Sequence, residues 1–346
     1  MTTTQNDKVQ TTVAGTTSSS NELLFYFQCA VLFIGVVGAA ANALILYAMV
    51  ASKQHKKQLL IFNQNVFDLC SCLLLVIIYT LKLCNIQLSG TLGHWLCMLL
   101  FSENILWCSI SGSQINLAGI TVERYLKVVH PTWSRKVLRK WMEFLAAAFA
   151  WISSTVYNMA VVFETSAVVD GVCYGYVFWK SRVAAIAYGI WNFVTFYVIV
   201  VCIFVFCYWR ILVVIRCQAR VMAAHSGPSS THQAQSHHIQ SNVIKTMIIV
   251  SAFYVITWTP NNVYYLMLNI NHNLTLLDGE YYAIRAAYVF VGFLYICANP
   301  FIYATKFDPV RQVLARLMPC KKTQPASEST ETGGRRVNLP LPSPAN

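Results

Sequence analysis

Seven long apolar runs, near residues 23–50, 59–81, 95–122, 141–163, 183–208, 243–268 and 281–305, take up most of this chain. The hydrocarbon core of a bilayer is about 30 Å thick, so a helix needs roughly 20 apolar residues to cross it. Lipid offers no hydrogen-bond partners, so each run must satisfy its own backbone as a helix. The runs are too long and too uniformly apolar for the alternating strands of a membrane barrel. The expected fold is an all-α membrane protein, a seven-transmembrane helix bundle. With 56% hydrophobic and only 11% charged residues, a water-soluble fold would expose too much apolar surface. A length of 346 residues leaves no room for a second folded domain.

The basic residues orient the bundle. With the N-terminus outside, Lys8, Lys82, Lys180, Arg182 and Arg285 lie outside. The rest of the 25 Lys and Arg lie inside, among them Lys53, Lys56, Lys57, Arg135, Lys136, Arg139, Lys140, Arg210, Arg216 and Arg220. Positive charge collects on the cytoplasmic side of membrane proteins, so a multi-pass plasma-membrane protein with an extracellular N-terminus and a cytoplasmic C-terminus is expected. The net charge of +12 follows from that orientation and from contact with anionic lipid. It is spread over short loops, which argues against a nucleic-acid partner.

Residues 1–22, rich in Thr, Ser and Asn, read as a disordered extracellular N-terminus. They lack the apolar core of a cleavable signal peptide, so the first helix is expected to serve as the insertion signal. Residues 23–307 form the transmembrane domain. At 308–320, Asp308-Pro309 starts a helix with an N-cap and a first-turn proline. Val310, Val313, Leu314, Leu317 and Met318 fall on one face, and Arg311, Gln312 and Arg316 on the other. That is a short amphipathic eighth helix on the inner leaflet. Cys320 follows at membrane level as a candidate for palmitoylation. Residues 321–346 read as a disordered cytoplasmic tail. His225, His232, His237 and His238 in the third internal loop read as a solvated polar stretch rather than a metal site. Asn273-Leu274-Thr275 is an outward-facing glycosylation sequon.

Most of the twelve cysteines lie inside helices and read as packing residues. Cys97 and Cys173 both face the oxidising side, where disulfides form. Cys84 is a rival partner.

Polar groups in a membrane are expensive and mark function. Asp68 sits midway along the second run, with Asn42 and Asn299 as expected partners. Glu123-Arg124-Tyr125 ends the third run at the cytoplasmic face. The two opposite charges can hold each other until Arg124 is released to a cytoplasmic partner. Pro260, in Trp258-Thr259-Pro260, removes a backbone donor and bends the sixth helix. Asn299-Pro300-Phe301-Ile302-Tyr303 does the same in the seventh. Two proline bends together with a buried acid and an interfacial arginine point to a switch.

Gly38-(x)3-Asn42, Asn63-(x)4-Asp68, Glu123-Arg124-Tyr125, Trp151, Tyr208, Trp258-x-Pro260 and Asn299-Pro-x-x-Tyr303 occur in this order on successive helices. In this the chain resembles a rhodopsin-like (class A) G protein-coupled receptor over residues 23–320. The resemblance implies that Arg124 meets a heterotrimeric G protein after the sixth helix swings outward, with Tyr208 and Tyr303 moving inward. It implies an allosteric sodium ion at Asp68, Ser113 and Asn299, no other cofactor, Trp258 beneath the ligand, and a Cys97–Cys173 disulfide. A receptor kinase and arrestin are implied as partners, acting on Ser and Thr of the third internal loop and tail.

Four departures from the family pattern carry expectations. The interval from Cys97 to Arg124 is two residues longer than usual, which implies a bulge or a displaced disulfide. Val200 stands where the fifth helix usually has proline, leaving its bend open. Gln240 stands where many relatives have an acid that locks Arg124, implying a weak lock and raised basal signalling. Tyr254 replaces the usual phenylalanine beneath Trp258.

The ligand is less legible. Leu106 stands where amine receptors carry an aspartate, and Phe293 where opsins carry the retinal lysine. Glu103, one turn outward of Leu106, reads either as a counter-ion for a cationic ligand or as a rim residue facing water or Lys82. Asn261, Asn262 and Tyr265 are expected to line the cavity, with Tyr264, Tyr288 and Phe290 as aromatic walls. Glu164, Asp170, Asp278 and Glu280 make an acidic entrance. A basic peptide is the leading ligand class and a small molecule the alternative. An ion-coupled transporter is the rival class, but the halves show no internal repeat. No catalytic pattern points to an enzyme.

Overall fold

The computed structural model of the protein describes residues 3–176, 179–224, 231–270, 279–306 and 308–317. Among them the α-helices are α1 (Thr3–Ala51), α2 (Leu59–Leu83), α3 (Gly90–Leu96), α4 (Asn104–Val129), α5 (Pro131–Val137), α6 (Lys140–Thr165), α7 (Arg182–Phe193), α8 (Ile199–Ala224), α9 (Thr231–Ile270), α10 (Gly279–Lys306) and the short α11 (Asp308–Leu317). The third crossing is α3 and α4 joined through a π turn, Cys97–Phe101. The fifth is α7 and α8 joined through a second π turn, Val194–Val198. Six helical stretches among the described residues are long and apolar enough to cross a membrane. The remaining crossing is α9, which carries the apolar run of residues 243–268.

Helix α1 begins at Thr3, inside the segment expected to be a disordered tail; its membrane-spanning part is Glu22–Ala51. Once a long apolar helix is formed, extending it avoids the nucleation cost that an isolated polar peptide faces.

The helices present apolar side chains in two directions. Phe33, Leu73, Phe144, Phe149, Ile152, Val205 and Ile256 point outward and stay exposed, as lipid-facing residues must. Inward, Trp258, Tyr254, Tyr303, Phe67 and Phe293 are among the bulkiest of the fully buried side chains. Gly38 lets α1 approach α2 and α10: a Cβ there would lie 2.7 Å from Cys72 Sγ and 2.8 Å from Cys297 Sγ. Asn42, one turn on, uses that closeness to donate to the Ile296 carbonyl of α10 (3.4 Å). Val310 and Leu314 of α11 are buried while Arg311 and Gln312 are exposed, the amphipathic division read from the sequence.

The loop between α6 and α7 is a hairpin, β1 (Ala167–Val169) with β2 (Val172–Tyr174), antiparallel with Val168 opposite Cys173. Asp170 and Gly171 turn it with φ of 50° and 77°, the left-handed pair that two-residue hairpin turns require. The Cys97–Cys173 disulfide and a bond from Leu88 N to Gly171 O (3.0 Å) hold the hairpin against the bundle. Cys84, the rival partner, remains a free thiol.

Candidate functional site

The interior is polar at three depths. Outermost, the chain breaks helical geometry at Glu103, which has φ 62° and accepts the first bond of α4 from Trp107 N at 2.9 Å. The preceding π turn is closed by Ser102 N donating to Cys97 O at 2.9 Å. Together these absorb the excess length between Cys97 and Arg124 without displacing the disulfide. A non-glycine residue at positive φ costs of order 1–3 kcal/mol and persists only where its surroundings enforce it. Here the Glu103 carboxylate is held by Lys82 Nζ at 2.5 Å and the Tyr79 hydroxyl at 2.9 Å. Of the two readings of Glu103, the geometry is that of a Lys82 partner.

Below Glu103, Leu106 and Phe293 are both fully buried. Trp107, which the sequence did not single out, places its ring 6.2 Å from Trp258 and 6.4 Å from Phe293. Asn262 is buried and bonds back to the Trp258 carbonyl at 2.9 Å. Asn261 and Tyr265 are half-buried, and Tyr265 meets Tyr188 edge-on at 6.5 Å. Tyr176, in the loop after β2, donates to Asn104 Oδ1 at 2.8 Å. Burial pushes its phenol well above the usual value, so it remains a proton donor.

At mid-depth Asp68 accepts three hydrogen bonds: Asn299 Nδ2 to Oδ2 at 2.9 Å, and Ser113 Oγ and Gln64 Nε2 to Oδ1 at 3.2 and 3.4 Å. Gln64 also donates to Ser113 Oγ. Asn42, the other expected partner, bonds instead to Gly38 and Ile296 carbonyls.

At the opposite end of the bundle Glu123 is buried and pairs closely with Lys127, while Arg124 Nη2 stands 3.7 Å from it. Lys127 also reaches Glu143 at 3.2 Å. Arg124 Nε and Nη2 make no hydrogen bond among the described residues. Tyr208 ties three helices: its hydroxyl meets Thr121 Oγ1 at 3.0 Å, Ser251 Oγ at 2.9 Å and Met247 O at 3.3 Å. Tyr125 packs at a tilt against Phe206, ring centres 5.7 Å apart. Pro300 lies inside α10, and the Tyr303 hydroxyl is buried with no partner among the described residues.

Residues 41–303 match the family model of the 7 transmembrane receptor (rhodopsin family). The chain belongs to the rhodopsin family of seven-transmembrane receptors.

The receptor is 24% identical to mouse G-protein coupled receptor 15 over 94% of this chain and 87% of the relative. It is 23% identical to the allatostatin-A receptor of Bombyx mori, over 83% of the chain and 78% of the relative. It is 25% identical to human galanin receptor type 3, over 83% of the chain and 77% of the relative. It is a multi-pass membrane receptor that couples an extracellular ligand to a G protein, and not an enzyme.

Two departures of the receptor meet in space. The fifth crossing lacks its proline at Val200 but has the π turn just before it, and Tyr254 donates its hydroxyl to Phe196 O inside that turn at 2.8 Å. Sequence reasoning also missed Gln64, Asn116, Tyr79 and the loop hairpin. Asp170-Gly171 was the available signal for the hairpin. Asn273, Asp278 and Cys320 lie outside the described residues, as do the side chains of Gln240 and Glu280.

Proposed function

We propose that the receptor lies in the plasma membrane with its N-terminus outside and takes a peptide in the outer cavity. Ligand contact on Trp258 would swing α9 away from α4 and α8 and give a heterotrimeric G protein access to Arg124. The observation that carries this is Tyr208. Its hydroxyl bridges α4 and α9 from α8, beside an arginine whose Nε and Nη2 are free of hydrogen bonds among the described residues. A small outward shift of α9 breaks two of those bonds and leaves Tyr208 available to support the opened state.

Relatives named as galanin and allatostatin-A receptors support a peptide ligand. The pairing of Glu103 with Lys82, and of Glu164 with Lys180, argues against a free carboxylate waiting for a basic group. The peptide is therefore read as binding mainly through Trp107, Trp258, Asn261 and Tyr265. Removal of signal follows from phosphorylation of the third internal loop and tail by a receptor kinase, which adds negative charge beside a basic surface and recruits arrestin. The basic inner face and α11 rest on anionic lipid.

The test is G protein dissociation in cells expressing the chain, beside Arg124→Ala, first without ligand and then with peptide fractions. Signal that appears in the parent and disappears in the mutant supports the reading. Surface-expressed receptor that responds to no peptide fraction but to small molecules replaces the ligand class.

A further inference from the structure

The family implies a sodium ion at Asp68, and the side chains around Asp68 test whether one fits. A cation there needs acceptor oxygens converging on a shared centre. Asp68 Oδ1 and Ser113 Oγ are two such oxygens, and both face Gln64 Nε2. The amide group brings two N–H donors to the place where a bridging cation would stand. These side chains are sealed from solvent: Asp68, Gln64 and Asn299 are 0% exposed, Asn116 2% and Ser113 3%.

The orientation of Gln64 decides the matter, because a rotated amide would present its oxygen and become a ligand. A chain of hydrogen bonds with a defined direction settles it. Trp151 Nε1–H can only donate, and it donates to Asn63 Oδ1 at 3.0 Å. Asn63 therefore turns its nitrogen to Asn116 Oδ1, at 2.9 Å. Asn116 then has only its nitrogen left for the Leu60 carbonyl, an obligate acceptor, at 3.0 Å, and for Gln64 Oε1 at 2.9 Å. With its oxygen taken, Gln64 must turn its nitrogen to Ser113 and Asp68. Two independent anchors, an indole that cannot accept and a carbonyl that cannot donate, set the same direction.

We infer that the Gln64 carboxamide is a built-in substitute for the cation, so that the polar core of this receptor does not bind sodium. Being covalently tethered to α2, the amide cannot dissociate. The balance between receptor states is then independent of sodium.

The test is the thermal midpoint of the purified full-length receptor in sodium chloride and in potassium chloride of equal ionic strength. The parent is expected to melt at the same temperature in both. Gln64→Leu, which removes the amide and keeps the apolar bulk, is expected to gain a sodium-specific upward shift, abolished by adding Asp68→Asn. A sodium-specific shift in the parent as large as in Gln64→Leu overturns the inference, and so does a Gln64→Leu protein that folds and gains none. Sodium-23 line broadening on the parent, compared with Asp68→Asn, decides the question even where Gln64→Leu fails to fold. Broadening that Asp68→Asn removes would refute the substitution, and broadening equal in the two proteins upholds it. None of these readouts depends on ligand or G protein.

Discussion

The Tyr254 hydroxyl donates to the Phe196 carbonyl at 2.8 Å, and this bond ties α9 to the π turn that interrupts the fifth crossing. A π turn takes the backbone out of its i→i−4 register, and the Tyr254 hydroxyl gives the Phe196 carbonyl a side-chain donor there. The phenylalanine usual at this position could not supply one. The missing proline and the added hydroxyl are thus read as one compensated change.

Tyr254→Phe should lower stability by about 0.5–1.5 kcal/mol, the net worth of a typical hydrogen bond. The thermal midpoint of purified protein checks this. Val200→Pro, made both in the parent and together with Tyr254→Phe, tests whether the two departures are linked. Its effect should differ between those two backgrounds by more than the measurement error.

Breaking the outer ion pair from one side should hurt more than removing it. Lys82→Ala leaves the Glu103 carboxylate, with its side chain 13% exposed, facing the Tyr79 hydroxyl and the more distant charge of Arg285. The double variant Lys82→Ala/Glu103→Gln should recover part of the loss, because a carboxylate that has lost its closest cation costs more out of water than a neutral amide. A double-mutant cycle on thermal midpoints gives the coupling.

On the inner face, Lys127 competes with Arg124 for Glu123. Lys127→Ala should let Glu123 draw Arg124 in more closely and lower ligand-free G protein activation. Arg124→Ala should abolish it. Bioluminescence measurement of G protein dissociation at matched surface expression separates the three proteins.

Gly112 sits where α4 meets the Phe67 ring, which stacks on Trp151 with ring centres 3.8 Å apart. A Cβ at Gly112 would collide with the edge of that ring. Gly112→Ala should cost about 1–3 kcal/mol, typical of overpacking, and should disturb Trp151 fluorescence.

Cutting the Cys97–Cys173 bond, which spans 76 residues, by Cys97→Ser should cost about 2–5 kcal/mol and free the β1–β2 hairpin. Surface expression and thiol labelling of Cys173 report it.

The sequence alone determined the bundle, because apolar run length and the backbone's need for hydrogen bonds leave one solution in lipid. It also determined the motif residues Asp68, Arg124, Trp258 and Asn299, since polar groups stand out in an apolar background. The two extra residues after Cys97 announced a bulge or a displaced disulfide, and nothing local said which, or whether a π turn or a left-handed residue would take them up. Tertiary structure decided that Glu103 meets Lys82 and Tyr79, and that Lys127 sits closer to Glu123 than Arg124 does. It decided that Gln64 turns its nitrogen toward Asp68. Each of these depends on how side chains meet at bond length inside the packed bundle. A helix fixes which face a residue occupies, but the partner across the interface is set by how neighbouring helices are rotated and displaced. The direction of a buried amide is set further away still, by a tryptophan on another helix that can only donate.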